Sequence, residues 1–253
     1  MLKKKLLFSV LTIAIVSSIL ANKPTVGWNN IDSQDEVAPT PELIVGNSTS
    51  VSIEYTIYGF TADTIIVDGT LYHRISLVDC PVLDSTGMPE LPYIKELLAS
   101  PHCDDYDVSV SFAGSVVYDS VTVYPAPEWV RDTSIYDSDT SFGWGEKFVI
   151  DTSYYINGTS DYPSESGELA ESGKLRLQPV AHTNVYPFVY DPDDKTFTVH
   201  SSVMLTVTFT DPEGPTNYCL SPYESASNML FINRGSGGFD ESSIRRLFLE
   251  AIK

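Results

Sequence analysis

Over residues 196–210 apolar and polar side chains alternate, with Phe197, Val199, Val203, Leu205, Val207 and Phe209 in one phase. A period of two sends successive side chains to opposite faces of an extended chain, so this run reads as a long strand with one buried face. Residues 190–194 supply the turn before it. The same pattern recurs upstream. Val51, Ile53, Tyr55 and Ile57 alternate with Ser52, Glu54, Thr56 and Tyr58, and Tyr106, Val108, Val110 and Phe112 repeat the spacing. Residues 64–67 and 71–78 flank Asp68-Gly69, a hairpin-turn pair. Residues 115–124 form a β-rich run that ends at Pro125 and Pro127. Residues 148–156 and 174–190 are further strand candidates. Strands at irregular spacing with turns between them predict an all-β fold, an antiparallel β-sandwich.

Two helical stretches interrupt this pattern. Residues 241–253 predict a short C-terminal helix, capped by Asp240, with Ile244, Leu247, Phe248, Ala251 and Ile252 on one face. Residues 91–98 suggest a short helical turn, although Pro92 disfavours it.

The organisation divides into four parts. Residues 1–21 have the layout of a secretory signal peptide: Lys3, Lys4 and Lys5, an apolar stretch, then Ala21 before polar Asn22-Lys23-Pro24. Residues 22–50 read as a flexible leader. Residues 51–212 form the β-sandwich domain, and 213–253 a linker and amphipathic helix. The glycine-rich run Arg234-Gly235-Ser236-Gly237-Gly238 before that helix suggests that a missing downstream domain, or a partner, packs on it. Loss of the signal removes three of the 15 Lys and Arg residues. The remaining 12, against 34 Asp and Glu, give a net charge of −22. Such a field repels nucleic acid and anionic membranes and suits an exported, solvated protein or a basic partner. The expected location is extracellular or in the cell envelope.

No catalytic or metal constellation emerges. His73, His102, His182 and His200 stand in no zinc-ligand spacing. His102 adjoins Cys103, but neighbours on an extended chain point to opposite faces. Asp191-Pro192-Asp193-Asp194 reads as a solvated turn rather than a calcium loop. The expectation is a chain without catalytic residues, cofactor or metal. Cys80, Cys103 and Cys219 allow one disulfide, and proximity favours Cys80 with Cys103. Residues 128–146 differ from their surroundings. They collect Asp, Ser, Thr and Gly around Trp129, Arg131, Tyr136 and Trp144, and read as a long exposed loop or weak hairpin.

Two groups of short motifs are more specific. The first is Gly87-Met88-Pro89-Glu90-Leu91-Pro92, then Ala99-Ser100-Pro101, with Pro125-Ala126-Pro127 beyond. The second runs through Tyr154 and Tyr155, Tyr162-Pro163, Gly167 and Gly173-Lys174-Leu175-Arg176 to Val185-Tyr186-Pro187-Phe188-Val189-Tyr190-Asp191-Pro192, and ends in the alternating strand. In order and spacing these segments resemble the N-terminal propeptide of gingipain-type cysteine peptidases, the C25 peptidase family. The resemblance spans roughly residues 50–210.

That resemblance implies a non-catalytic domain that assists folding of a cysteine peptidase and keeps it latent. The partner is the peptidase catalytic domain, in cis or in trans. In the family a basic side chain on an exposed loop can fill the specificity pocket without productive cleavage. Arg131, beside Trp129, is the first candidate here and Lys147 the second. The family's catalytic domain would follow the propeptide and is absent. The chain therefore looks like a truncated precursor, a separated propeptide or a stand-alone relative, and should not hydrolyse peptides. The competing expectation is a non-enzymatic extracellular binding or envelope accessory module.

Overall fold

The alternating run forms one continuous strand, Thr196–Thr210, and the other strands gather around it. In this computed structural model the described residues are 22–33, 35–132, 143–158, 160–175, 178–212 and 230–231. In chain order the strands are β1 (Gly27–Asn30), β2 (Thr40–Gly46), β3 (Ser50–Thr56), β4 (Gly59–Val67), β5 (Thr70–Ser76), β6 (Ile94–Ala99) and β7 (Asp105–Tyr118). They continue as β8 (Glu128–Asp132), β9 (Gly143–Lys147), β10 (Gly167–Leu175), β11 (Gln178–Val185), β12 (Phe188–Asp191), β13 (Thr196–Thr210) and β14 (Leu230–Phe231). Helix α1 (Thr152–Asn157) follows β9.

Every named strand pair is antiparallel. β13 is central to the largest sheet. β7 pairs along one edge of it, while β12 and β3 share the other edge in succession, and β2 lies beyond β3. A second sheet has the order β10-β11-β6-β14, and a third β1-β4-β5. The apolar phase of β13 is wholly buried, together with Val51, Ile53, Tyr55 and Ile57. Phe60 on β4 lies within this core, edge-on to Tyr118 at 5.2 Å and to Phe197 at 5.3 Å. The sheets are also joined by polar contacts. Tyr55 on β3 donates its hydroxyl to Glu96 Oε2 on β6 at 2.6 Å, and the Ser100 and Tyr106 hydroxyls meet at 2.7 Å. The architecture is the expected antiparallel sandwich.

The hairpin at Asp68-Gly69 joins β4 to β5. Both turn residues have positive φ, 49° and 80°, as a tight primed turn requires. The two motif groups also close on themselves. Backbone bonds run from Gly87 N to Ala126 O (2.8 Å), Ala126 N to Met88 O (2.8 Å) and Glu90 N to Tyr124 O (2.9 Å), so the first proline-rich segment lies along the second. Tyr162, before a cis Pro163, exchanges two 2.9 Å backbone bonds with Tyr190.

Several expectations are corrected. Residues 94–99 form β6, not a helical turn. The strand is buried between β11 and β14, and this pairing overrides the helical preference of its Leu, Lys and Glu residues. Within 148–156, read as a strand, Thr152 begins α1. The Asp151 carboxylate accepts from Ser153 N and Tyr154 N and so caps the helix start. Residues 106–112 and 115–124 are not separate strands, since β7 runs unbroken to Tyr118. The segment 22–50, read as a flexible leader, contributes β1 and β2, because their backbones pair with β4 and β3 despite a polar, proline-containing sequence. Within 213–253, β14 pairs with β6. The proposed signal and the helix at 241–253 lie outside the described residues. Cys80 and Cys103 carry thiols rather than a shared disulfide. They face different neighbours, Cys80 beside Tyr55 and Glu96 and Cys103 beside Tyr106. Cys219 lies outside the described residues.

Candidate functional site

β8 and β9 form a two-stranded ribbon that pairs with no other sheet among the described residues. It emerges from Pro125-Ala126-Pro127, whose first two residues are fixed against the Gly87–Glu90 segment. The register pairs Glu128 with Lys147, Trp129 with Glu146, Val130 with Gly145 and Arg131 with Trp144. Residues directly opposite share a face, and successive residues alternate. One face therefore carries Trp129, Arg131, Trp144 and Glu146. The other carries Glu128, Val130 and Lys147.

This separates the two basic candidates. Arg131 is exposed and stands opposite Trp144, which is 63% exposed; Trp129, on the same strand, is 56% exposed. Two large indoles left in solvent beside an arginine make a composition typical of binding anchors. Lys147 lies on the reverse face, where its ammonium donates to Glu128 Oε2 at 2.7 Å. Both partners of that ion pair are largely solvated, so its contribution to stability is small. Of the three residues singled out from sequence, the ribbon brings Arg131 and Trp129 together and turns Lys147 away. Trp144 joins them through the strand register.

The root of the ribbon rests on Arg74 of β5. Its Nε and Nη2 donate to the two oxygens of Glu90 at 2.6 and 3.1 Å. Its Nη1 and Nη2 donate to the two oxygens of Glu146 at 3.1 and 2.9 Å. The guanidinium carbon also sits 5.0 Å above the Tyr124 ring. Burial works against the Arg74 charge, but its hydrogen bonds to Glu90 and Glu146 outweigh it and raise its pKa above the ordinary arginine range. Beneath this clamp, Tyr72, Tyr124 and Phe148 pack edge-on and tilted at 5.4 to 6.1 Å. Nothing in the local sequence marks Arg74, because its two carboxylates come from other elements.

A tyrosine cluster forms around α1. Tyr155 donates to Val123 O at 2.9 Å and Tyr154 to Tyr190 O at 3.2 Å. Burial raises the pKa of Tyr155 and Tyr154 well above the usual tyrosine range, and pushes Tyr190 up to about 12. The unfolded chain gives up these protons near pH 10, the ordinary value. The folded state holds them longer, so this stabilisation is complete below pH 10 and declines above it, the Tyr190 share being lost as pH rises through about 12. The expected result is a urea midpoint that stays level up to about pH 9 and then falls, with tyrosinate absorbance appearing together with unfolding. Titration of all tyrosines with the fold intact would contradict it.

The acidic stretch at residues 191–194 forms a turn. Asp191 Oδ1 accepts from Asp193 N and Asp194 N at 2.9 and 3.3 Å, which makes this acidic stretch a self-capped turn. Among the described residues no three His, Cys, Asp or Glu side chains converge as a metal site. No helix among them is long and apolar enough to cross a membrane.

The fold can be set beside known proteins. The family model Propeptide_C25 matches residues 32–233. The chain is similar in structure to one chain of a structure described as the complex of Porphyromonas gingivalis RgpB pro- and mature domains. That match has a TM-score of 0.59 and 17% identity, and covers 72% of this chain and 92% of the other. It is also similar to a structure described as an insight into the zymogenic latency of gingipain K from the same organism. Here the TM-score is 0.55 and the identity 15%, over 73% of this chain and 99% of the other. At these identities the likeness shows the fold. No curated protein sequence matches the chain at a significant level. With the sandwich in place and the family model spanning most of its length, the chain belongs to the C25 propeptide family, the propeptides of gingipain-type cysteine peptidases.

Proposed function

We propose that this chain is an exported, non-catalytic propeptide that keeps a cysteine peptidase latent and assists its folding. The observation that carries the reading is the β8–β9 ribbon, which presents Arg131 beside two exposed indoles on one face. Arg131 enters the specificity pocket of the peptidase, while Trp129 and Trp144 cover the apolar walls of the cleft. Both strands of the ribbon are hydrogen-bonded to each other, and its root is clamped to the domain. A ligand held this way loses little freedom on binding, which favours tight occupation over cleavage. The two similar structures concern a complex of pro- and mature domains and zymogenic latency, and this accords with the reading.

The test adds purified residues 22–253 to gingipain-type peptidases with arginine or lysine specificity. The expected result is inhibition of an arginine-specific enzyme at or below micromolar concentration. No inhibition of either enzyme at that level would overturn the proposal.

A further inference from the structure

Arg74 belongs to none of the segments that carry the family motifs, yet it joins three parts of the molecule. Its own strand is the second arm of the β4–β5 hairpin. Glu90 belongs to the proline-rich segment bonded along residues 124–126. Glu146 belongs to the ribbon. Four of the five guanidinium N–H bonds are engaged by the two carboxylates. A planar fork holding two carboxylates at once fixes distance and direction together, which a lysine ammonium cannot do. The Glu90 and Arg74 side chains are only 9% and 29% exposed, so solvent screens this half of the clamp weakly.

The position of Glu146 gives the clamp a consequence at the binding face. Glu146 is directly opposite Trp129 and two residues from Trp144, and Trp144 is opposite Arg131. The carboxylate held by Arg74 is therefore on the same face as Arg131, Trp129 and Trp144. An isolated two-stranded ribbon is marginal in water and its orientation needs external support. Removal of the Arg74 cation would also leave Glu90 and Glu146 facing each other as like charges, which pushes the ribbon off the domain.

We infer that Arg74 is a positioning residue: by gripping Glu146 against Glu90 it sets the pitch at which the ribbon delivers Arg131 to the peptidase. The inference rests on the proposed function, and the clamp itself can be tested without a peptidase. Amide hydrogen exchange in the isolated 22–253 chain reads the ribbon directly. In Arg74→Ala, exchange in residues 128–132 and 143–147 should rise about tenfold, while exchange in β3 and β13 stays unchanged. Glu146→Gln removes the charge from the ribbon half of the clamp, keeps one amide oxygen as an acceptor and leaves Arg74 paired with Glu90, so it should loosen the same segments by a smaller factor with little change in melting temperature. Equal protection of the ribbon in wild type, Arg74→Ala and Glu146→Gln would overturn the inference, whatever the inhibition assay shows.

Inhibition supplies the second readout. Glu146→Gln should weaken inhibition roughly tenfold, mainly through preorganisation. In an Arg131→Ala background the same substitution should have almost no further effect, because it acts through the delivery of Arg131. Additive losses would show that Glu146 contacts the peptidase independently and would remove the positioning role. If the wild-type chain fails to inhibit while the exchange result holds, the proposed function falls and the clamp stands.

Discussion

Replacement of Arg131 by alanine should raise the inhibition constant of the domain by roughly a hundredfold, a loss of about 2.7 kcal/mol. The melting temperature should hardly move, because Arg131 is exposed on a ribbon outside the sandwich. The size of the effect comes from the pocket. A guanidinium taken out of water and paired with a carboxylate carries much of an interface's energy, and its truncation also leaves the partner's charge buried and alone. Arg131→Lys keeps the charge and loses the planar fork, so it should fall between wild type and alanine. Lys147→Ala should change inhibition less than about threefold, since that side chain lies on the reverse face in a solvated pair with Glu128. Competition kinetics on the three variants separate these outcomes. Equal losses for Arg131→Ala and Lys147→Ala would remove the directional ribbon from the account.

The largest effect on stability is expected at Phe60. This ring is fully buried, and it packs edge-on to Tyr118, Phe188 and Phe197 at centroid distances of 5.2 to 6.2 Å. It therefore joins the β4–β5 hairpin to β7, β12 and β13. Phe60→Ala removes a large apolar surface and leaves a cavity bounded by rings that are themselves fixed by packing on other sides, with Phe188 and Phe197 stacked at 5.7 Å. The expected cost is about 3–5 kcal/mol, with a fall in melting temperature on the order of 10 °C. Urea denaturation gives the same quantity as a lower midpoint. A loss below about 1 kcal/mol would mean that the aromatic cluster is not the centre of the core.

The legible parts of this sequence were those whose information is local. The period of two in 196–210 specified β13 and its buried face, and Asp68-Gly69 specified a turn that needs two positive φ values. The mixture of polar residues with tryptophans at 128–146 read as an exposed loop or weak hairpin, and β8 and β9 pair as a hairpin there with Trp129 and Trp144 exposed. The order of tyrosine and proline motifs was legible for a related reason. These residues fix corners, and in the structure the corners meet each other: Met88 lies against Ala126, and Tyr162 against Tyr190.

What could not be read depends on partners far away in the chain. β6 has helix-forming side chains and becomes a strand because β11, more than seventy residues later, supplies its hydrogen bonds. β1 and β2 carry weak strand signals and are fixed by β4 and β3. In α1 a single capping carboxylate decides against the β preference of Tyr154 and Tyr155. Arg74 pairs with residues 16 and 72 positions away, so nothing in its neighbourhood distinguishes it from a solvated charge. Tyr55 and Glu96 are likewise joined across sheets at a separation of 41 residues. Lys147 ranked second to Arg131 as a basic anchor, and the strand register puts the two on opposite faces of the ribbon.

In the proposed function the Arg131 face of the ribbon occupies a peptidase cleft. The most direct measurement of that occupation is the rate at which a peptidyl-arginine chloromethyl ketone labels the active-site thiol of an arginine-specific gingipain-type peptidase mixed with residues 22–253. Labelling should be blocked by the wild-type domain and restored by Arg131→Ala at equal concentration. Unchanged labelling in a mixture shown to contain the bound complex would place the domain elsewhere on the peptidase and contradict the account.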